Sequence, residues 1–211
     1  MWRTIDWDKM EDQLLRTQQR LARAAYSRDF EAVIALQKQI VRSLPAKVLA
    51  VRHVVQINSE AGVDGVRWKS DAEKMRAALS LTSRGYHAKP YRRIIVTERG
   101  KERRIHIPVA YDKAMQVLYA YSLDPVAEST ADRKSFAFRK GRSMFDAHAY
   151  ICAAFEGDNA PDWVVRADVK ACYDSISHKW LLEHITMDAK VLREFLRAGA
   201  VFDGELFTTE Q

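Results

Sequence analysis

Asp168-Val169-Lys170-Ala171-Cys172-Tyr173-Asp174-Ser175-Ile176 follows Trp163-Val164-Val165-Arg166-Ala167. The second of these stretches is a short apolar run rich in β-branched residues, and it reads as a buried strand. A carboxylate just past the end of such a strand sits where a rigid sheet presents it to a cleft. Ser177-His178-Lys179-Trp180-Leu181-Leu182 then opens a helix, with Ser175 or Ser177 as its N-cap. This order has a chemical reading. Asp168 holds a divalent metal, the backbone carbonyl of Val169 supplies a second oxygen, and Tyr173 forms a pocket floor on which a sugar ring rests. Asp174 reads as a turn or capping residue.

The rest of the chain sets the frame. Its 211 residues are enough for one or two domains, with 47% apolar and 29% charged residues, as in an ordinary soluble globular protein. The net charge of +6 suits a polyanionic partner. The distribution of charge says more than its sum. Residues 84 to 104 carry eight Lys/Arg against Glu98 and Glu102, and residues 133 to 142 carry five and no acid. Tyr86, Tyr91, Phe136 and Phe138 interleave these clusters, a pattern that fits nucleic acid better than two merely solvated faces. Cys152 and Cys172 are the only cysteines, which excludes a disulfide framework or a cysteine zinc site. No apolar run reaches the ~18 residues of a membrane span, and the first residues do not read as a signal peptide. A cytoplasmic location is the expectation.

Three helices open the chain, over residues 7 to 26, from Asp29 to the break at Leu44-Pro45, and from 46 to about 56. A loop ends in Gly62-Val63-Asp64-Gly65, and a fourth helix runs from Asp71 to about Ser83. The period then changes to two. Tyr91 to Val96 and Arg103 to Ile107 make an arginine-rich β-hairpin, whose guanidinium and ammonium groups suit phosphate oxygens. Asp112 caps a long helix that is interrupted at Asp124-Pro125. Ser135 to Ser143 is a basic, aromatic loop, and Ser143 caps a helix from Met144 to Phe155. After the Asp168 stretch come helices from His178 and from Asp188, then a hairpin with Asp203-Gly204 at its turn.

Four of these segments, in this order, resemble the N-terminal half of a group II intron reverse transcriptase (maturase). The similarity runs over nearly the whole chain. The three opening helices look like that family's N-terminal extension, and Gly62-Val63-Asp64-Gly65 matches its GVDG loop. Arg92-Arg93-Ile94 through Gly100-Lys101-Glu102-Arg103 to Ile107-Pro108 resembles the fingers hairpin, RRVxIPKxxGKxRPLGIP. Ser135-Phe136-Ala137-Phe138-Arg139-Lys140-Gly141-Arg142-Ser143 leading to Asp146-Ala147 is close to SYGFRPGRSxxDA, and Asp168 to Ile176 is similar to motif A of the palm. The fold implied is α+β: an N-terminal helical extension (1–62) that binds RNA, right-hand-polymerase fingers with a β-hairpin (63–160), and the first part of a palm (161–211), incomplete at its C-terminal end. A CRISPR-associated or phage-defence reverse transcriptase is a related alternative. The opening helices and the GVDG loop favour the intron type.

The resemblance implies roles residue by residue. Asp168 is the first catalytic carboxylate, and Val169 lends its carbonyl to the same metal. Tyr173 crowds the 2′-OH of an incoming nucleotide and so favours dNTPs. Arg103 matches the arginine that clamps the triphosphate. Glu98 stands where the family has lysine, leaving Arg99 or Lys101 to substitute. Arg92, Arg93, Phe138, Arg139 and Arg142 meet RNA template and DNA primer. The chemistry implied is nucleotidyl transfer on two Mg²⁺ ions ~3.5–4 Å apart. The family's later Gly-x-Pro-Gln-Gly and Tyr-x-Asp-Asp motifs, with the other aspartates, are not in this sequence. One carboxylate does not hold two magnesium ions in a catalytic geometry. The expectation is therefore a fragment that binds RNA and needs a C-terminal complementing half to polymerise, or a non-catalytic maturase-like module that assists intron splicing. Self-association through the edge near 201 to 207 is a further expectation.

Overall fold

A computed structural model describes residues 2–57, 60–98, 100–156, 160–170 and 172–208. Arg99 and the side chain of Asp174 lie outside the described part. The observed class is α+β, helix-rich with one small mixed sheet.

Asp6 starts α1 (Trp7–Tyr26) by accepting from the backbone N–H of Lys9 at 3.0 Å, and Asp29 does the same for Ala32 in α2 (Phe30–Arg42). Ser43 is extended and separates α2 from α3 (Leu44–Ile57). Pro45 lies in the first turn of α3, where its missing N–H costs nothing. Ser70 and Glu73 form a reciprocal capping box at the start of α4 (Asp71–Ser80). Leu21, Ile40, Val48 and Val51 are fully buried, and so are Met115 and Leu118 of α5 (Ala110–Thr130). These residues form one apolar core that also takes in Val191 of α8 (Ala189–Arg197). Truncating any of the larger ones to alanine costs about 2–5 kcal/mol.

Helix α5 differs from its expected form at both ends. Asp112 is not its cap: Val109 is the N-cap residue, and Asp112 lies within the first turn, 3% exposed. Its carboxylate is held there by the Tyr86 hydroxyl and the Lys89 N–H, each at 2.9 Å. Nor does Pro125 interrupt the helix, which continues to Thr130. A proline leaves the carbonyl four residues earlier without its helical donor. Here Gln18 of α1 donates to that carbonyl, on Tyr121, at 2.8 Å, and Gln37 of α2 donates to the next, on Ser122, at 3.2 Å.

The sheet has the order β2-β1-β3-β4. Strands β1 (Tyr91–Glu98) and β2 (Lys101–Ile107) are antiparallel, from Arg92 opposite Ile107 to Glu98 opposite Lys101. The terminal hairpin, β3 (Ala200–Phe202) and β4 (Glu205–Phe207), turns at Asp203 (φ 49°) and Gly204 (φ 82°). That left-handed pair is the favoured two-residue turn. Strand β3 also pairs in parallel with β1, Tyr91 opposite Ala200 and Arg92 opposite Val201, which the sequence did not suggest. At that join an added Cβ on Gly199 (φ +63°) would meet the Phe207 carbonyl oxygen at 2.8 Å. The β4 edge carries Leu206 and Phe207 exposed.

The expected strand over 163 to 167 is not formed. A strand exists by pairing, and none of the described ladders includes these residues. Trp163 is 88% exposed, and Val164 and Val165 are exposed with it. Helix α6 (Met144–Ala154) likewise buries no residue and presents Met144, Phe145 and Ile151. The last short helix, α7 (His178–His184), is capped by Ser177, which accepts from the Trp180 N–H at 3.2 Å.

Candidate functional site

The basic hairpin sorts its side chains by the two-residue period of a strand. Arg92, Val96 and Glu98 share one face with Lys101 and Arg103, while Arg93, Arg104 and His106 share the other. Arg92 and Arg93, paired in the sequence reading, therefore serve opposite sides. The Arg92 guanidinium donates to the Ala61 carbonyl at 2.8 Å and to Glu60 at 3.2 Å, tying β1 to the glycine loop. Within that loop, an added Cβ on Gly62 would meet the Val109 backbone at 2.6 Å. Gly65 takes the left-handed conformation (φ +66°), so the two glycines answer different needs. Arg93 donates to His106 Nε2 at 3.0 Å and lies 4.7 Å from the ring centre of Phe207. Arg103 pairs with Glu98 at 3.0 Å, so the acid at the family's lysine position binds the very arginine expected to clamp a triphosphate. Lys101 stands exposed opposite Glu98.

The second basic segment is a loop built on one arginine. Arg139 sends Nε and Nη2 to the two oxygens of Glu128 at 2.9 and 2.7 Å. Its Nη1 donates to the carbonyls of Asp132 (2.6 Å) and Ser135 (2.8 Å). This fork-to-carboxylate geometry is the strong one, and it holds Glu128 below the ordinary carboxylate range. The Arg139 side chain is only 11% exposed, so it positions the loop from within. Arg142 reaches the same carboxylate at 3.6 Å. Lys140 pairs with Asp124. The loop so tethered holds Phe138 at φ 59° with 98% of its surface exposed. A left-handed aromatic costs roughly 1–2 kcal/mol, and it gains no burial here. Ser143 and Asp146 then form the capping box that starts α6.

The Asp168 stretch is presented rather than buried. Asp168 accepts from the adjacent Val169 N–H at 2.9 Å. Tyr173 begins a single 3₁₀ turn, Tyr173–Ser175, and is 79% exposed. A carboxylate and a carbonyl are oxygen donors of the kind magnesium takes. Among the described residues, however, no group of three or more His, Cys, Asp or Glu is placed to hold a metal. Asp168 and Val169 alone do not fit a two-ion centre.

Residues 88–210 match the family model described as reverse transcriptase (RNA-dependent DNA polymerase). This chain belongs to the reverse transcriptase family. Residues 2–81 match a second description, the N-terminal domain of reverse transcriptase. The chain is 30% identical over 136 residues to the group II intron-encoded protein LtrA of Lactococcus lactis, covering 60% of this chain and 22% of LtrA. It is 32% identical over 127 residues to an uncharacterized 91 kDa protein in the cob intron of Schizosaccharomyces pombe, covering 57% of this chain and 15% of that protein. A maturase-like protein 1 of Euglena gracilis is 29% identical over 139 residues, covering 63% of this chain and 30% of its own length. The chain thus spans well under two thirds of these relatives. The resemblance to group II intron reverse transcriptases and maturases, read from motifs alone, stands. Among the described residues no helix is long and apolar enough to cross a membrane.

Three features of this reverse transcriptase chain escaped the sequence reading. Asp112 sits among tyrosines, and its only signal was a lone acid on the apolar side of a helical pattern. The glutamines under Pro125 lie on other helices, far away in sequence. The inward turn of Arg139 depends on Glu128, which no local motif links to it.

Proposed function

We propose that this chain forms the fingers and the opening of the palm of a group II intron-type reverse transcriptase and binds RNA in that role. Its division would be an RNA-binding helical extension over 1–62, fingers over 63–160 and palm from 161. The observation that carries the reading is Phe138. An exposed aromatic held in a costly backbone conformation, on a loop fixed by four Arg139 hydrogen bonds, is a ready stacking platform for a base. Arg142 and the neighbouring cations supply the phosphate contacts. Asp168 and the Val169 carbonyl are on this reading the first ligands of Mg²⁺, with the remaining carboxylates supplied from elsewhere, and Tyr173 faces the incoming dNTP. The protein works in the cytoplasm.

The pairing of Arg103 with Glu98 favours a second reading, in which the chain is a maturase-like module that grips structured intron RNA and does not load dNTPs. Fluorescence anisotropy with a labelled structured RNA at graded KCl, beside primer extension with Mg²⁺ and dNTPs, separates the two. Salt-sensitive RNA binding is expected in either case. Extension that appears only when a palm-and-thumb polypeptide is added supports the enzyme reading. Binding without extension under that complementation supports the module. Absence of RNA binding overturns both.

A further inference from the structure

A cavity of about 340 Å³ lies where α2 hands over to α3, and three cations line it: Arg42, Lys47 and Arg84. Thr82 and Ser83 add hydroxyls, and no carboxylate lines it. None of the three cations forms an ion pair with an acid among the described residues. This sets them apart from Arg92, Arg103, Arg139 and Lys140, each of which has a partner. Asp188 lies in the adjoining cavity beside Arg42, and its Oδ1 accepts from the Lys190 and Val191 N–H groups at the start of α8.

Two local details favour an anion at this place. Lys47 stands in the first turn of α3, which has no acid there, so it faces the positive end of the helix dipole. Its burial also holds the ammonium below the usual lysine value, a cost that a bound anion would remove. The Ser83 hydroxyl is hydrogen-bonded to the Tyr119 side chain, and that of Thr82 is fixed by the backbone. Thr82 Oγ1 accepts from the Arg84 N–H at 3.2 Å, leaving the hydroxyl proton free to donate.

We propose that Arg42, Lys47 and Arg84, with Thr82 and Ser83, form a seat for one phosphoryl group. Resting on the RNA-binding reading above, its occupant is a backbone phosphate of the RNA. A free phosphorylated molecule shares that chemistry, and the test separates the two sources. The seat is far in sequence from the Phe138 loop and would give the helical part of the chain a fixed grip of its own.

The test uses the full chain and the exposed pair Arg42→Gln plus Arg84→Gln, with Arg42→Lys plus Arg84→Lys as the charge-retaining control. The first readout is the dependence of RNA affinity on KCl. One phosphate fewer makes the slope of log K against log [KCl] shallower by about 0.7–0.9, with affinity down roughly threefold or more at low salt. The second readout is the melting temperature in inorganic phosphate against chloride at equal ionic strength. Wild type rises, and the Gln pair does not. A change in both readouts, or in RNA binding alone, assigns the seat to RNA. A change in the phosphate response alone assigns it to a free phosphorylated molecule, and this arm works even if the chain binds no RNA. If neither readout distinguishes the Gln pair from wild type, the seat does not exist.

Discussion

The side-chain amide of Gln18 on α1 donates to the backbone carbonyl of Tyr121 on α5 at 2.8 Å. That carbonyl is the one Pro125 cannot serve, because proline has no N–H. The bond explains how a proline sits inside a helix without ending it. It also makes α1 a structural partner of α5 by polarity as well as by apolar packing. Gln18→Ala leaves a part-buried carbonyl without its donor, and the expected loss is about 1–2 kcal/mol. In a Pro125→Ala background the residue at 125 regains its N–H, so the same Gln18→Ala change costs much less. Urea denaturation of the four proteins of this cycle measures the coupling. Equal costs in both backgrounds would show that Gln18 does not act through the proline gap.

Asp112 yields a pH prediction. Burial is the main cause raising its pKa, opposed by the hydrogen bonds from the Lys89 N–H and the Tyr86 hydroxyl. Asp64 adds to the rise and Lys89 subtracts. In the unfolded chain the group titrates near ~3.9. Between that value and the higher folded one, the folded state keeps a proton that the unfolded state has released. This contribution to stability is therefore full at low pH and falls as pH rises through the window. An asparagine side chain can accept from Lys89 and donate to Tyr86, so Asp112→Asn keeps the geometry without the titration. The variant gains stability relative to wild type as pH rises from about 4 through the raised folded-state value. A difference that stays constant across that range contradicts the assignment.

Much of this fold could be read along the chain, because its signals are local. Asp29, Ser143, Ser177 and Asp188 mark helix starts by residue type and spacing, and Asp203-Gly204 marks a turn by its demand for left-handed backbone. The failures share a cause: each needed a partner from another segment. Pro125 reads as a break until Gln18 is known. Asp112 reads as a cap until Tyr86 and Lys89 close over it. Trp163 to Ala167 reads as a strand from composition, yet a strand needs a neighbour. The site followed the same rule. The candidate residues could be named from motifs, but the Arg103–Glu98 pair and the inward turn of Arg139 came only with the folded hairpin and loop.

The Arg103–Glu98 pair predicts a separation between stability and ligand binding. Both side chains are mostly exposed, and such pairs contribute little, within about 1 kcal/mol. Glu98→Gln should leave the denaturation midpoint nearly unchanged while freeing Arg103. If Arg103 is the triphosphate group, dNTP affinity measured by calorimetry rises several-fold, and Glu98→Gln plus Arg103→Gln abolishes the gain. If dNTP affinity does not move, Arg103 belongs to the hairpin's own charge network.

Phe138 offers the sharpest case, since its two roles pull in opposite directions. At φ 59° a glycine is relaxed where phenylalanine is strained, and the exposed ring has no packing to lose. Phe138→Gly should therefore stabilise the loop, or at worst be neutral, the relief of about 1 kcal/mol being offset by the greater freedom of the unfolded chain. The same change removes the stacking surface. Loss of one base stack is worth about 1–3 kcal/mol, so RNA affinity should fall roughly fivefold or more. Phe138→Trp should retain binding, as the platform needs a flat ring rather than this particular one. Arg139→Ala supplies the converse, lowering both stability and binding, because the ring then loses the frame that holds it out. Thermal melts and anisotropy on the same samples read both quantities together. A Phe138→Gly protein that melts no lower than wild type and binds RNA equally well would leave the strain without a purpose and remove the main support for this loop as the binding surface.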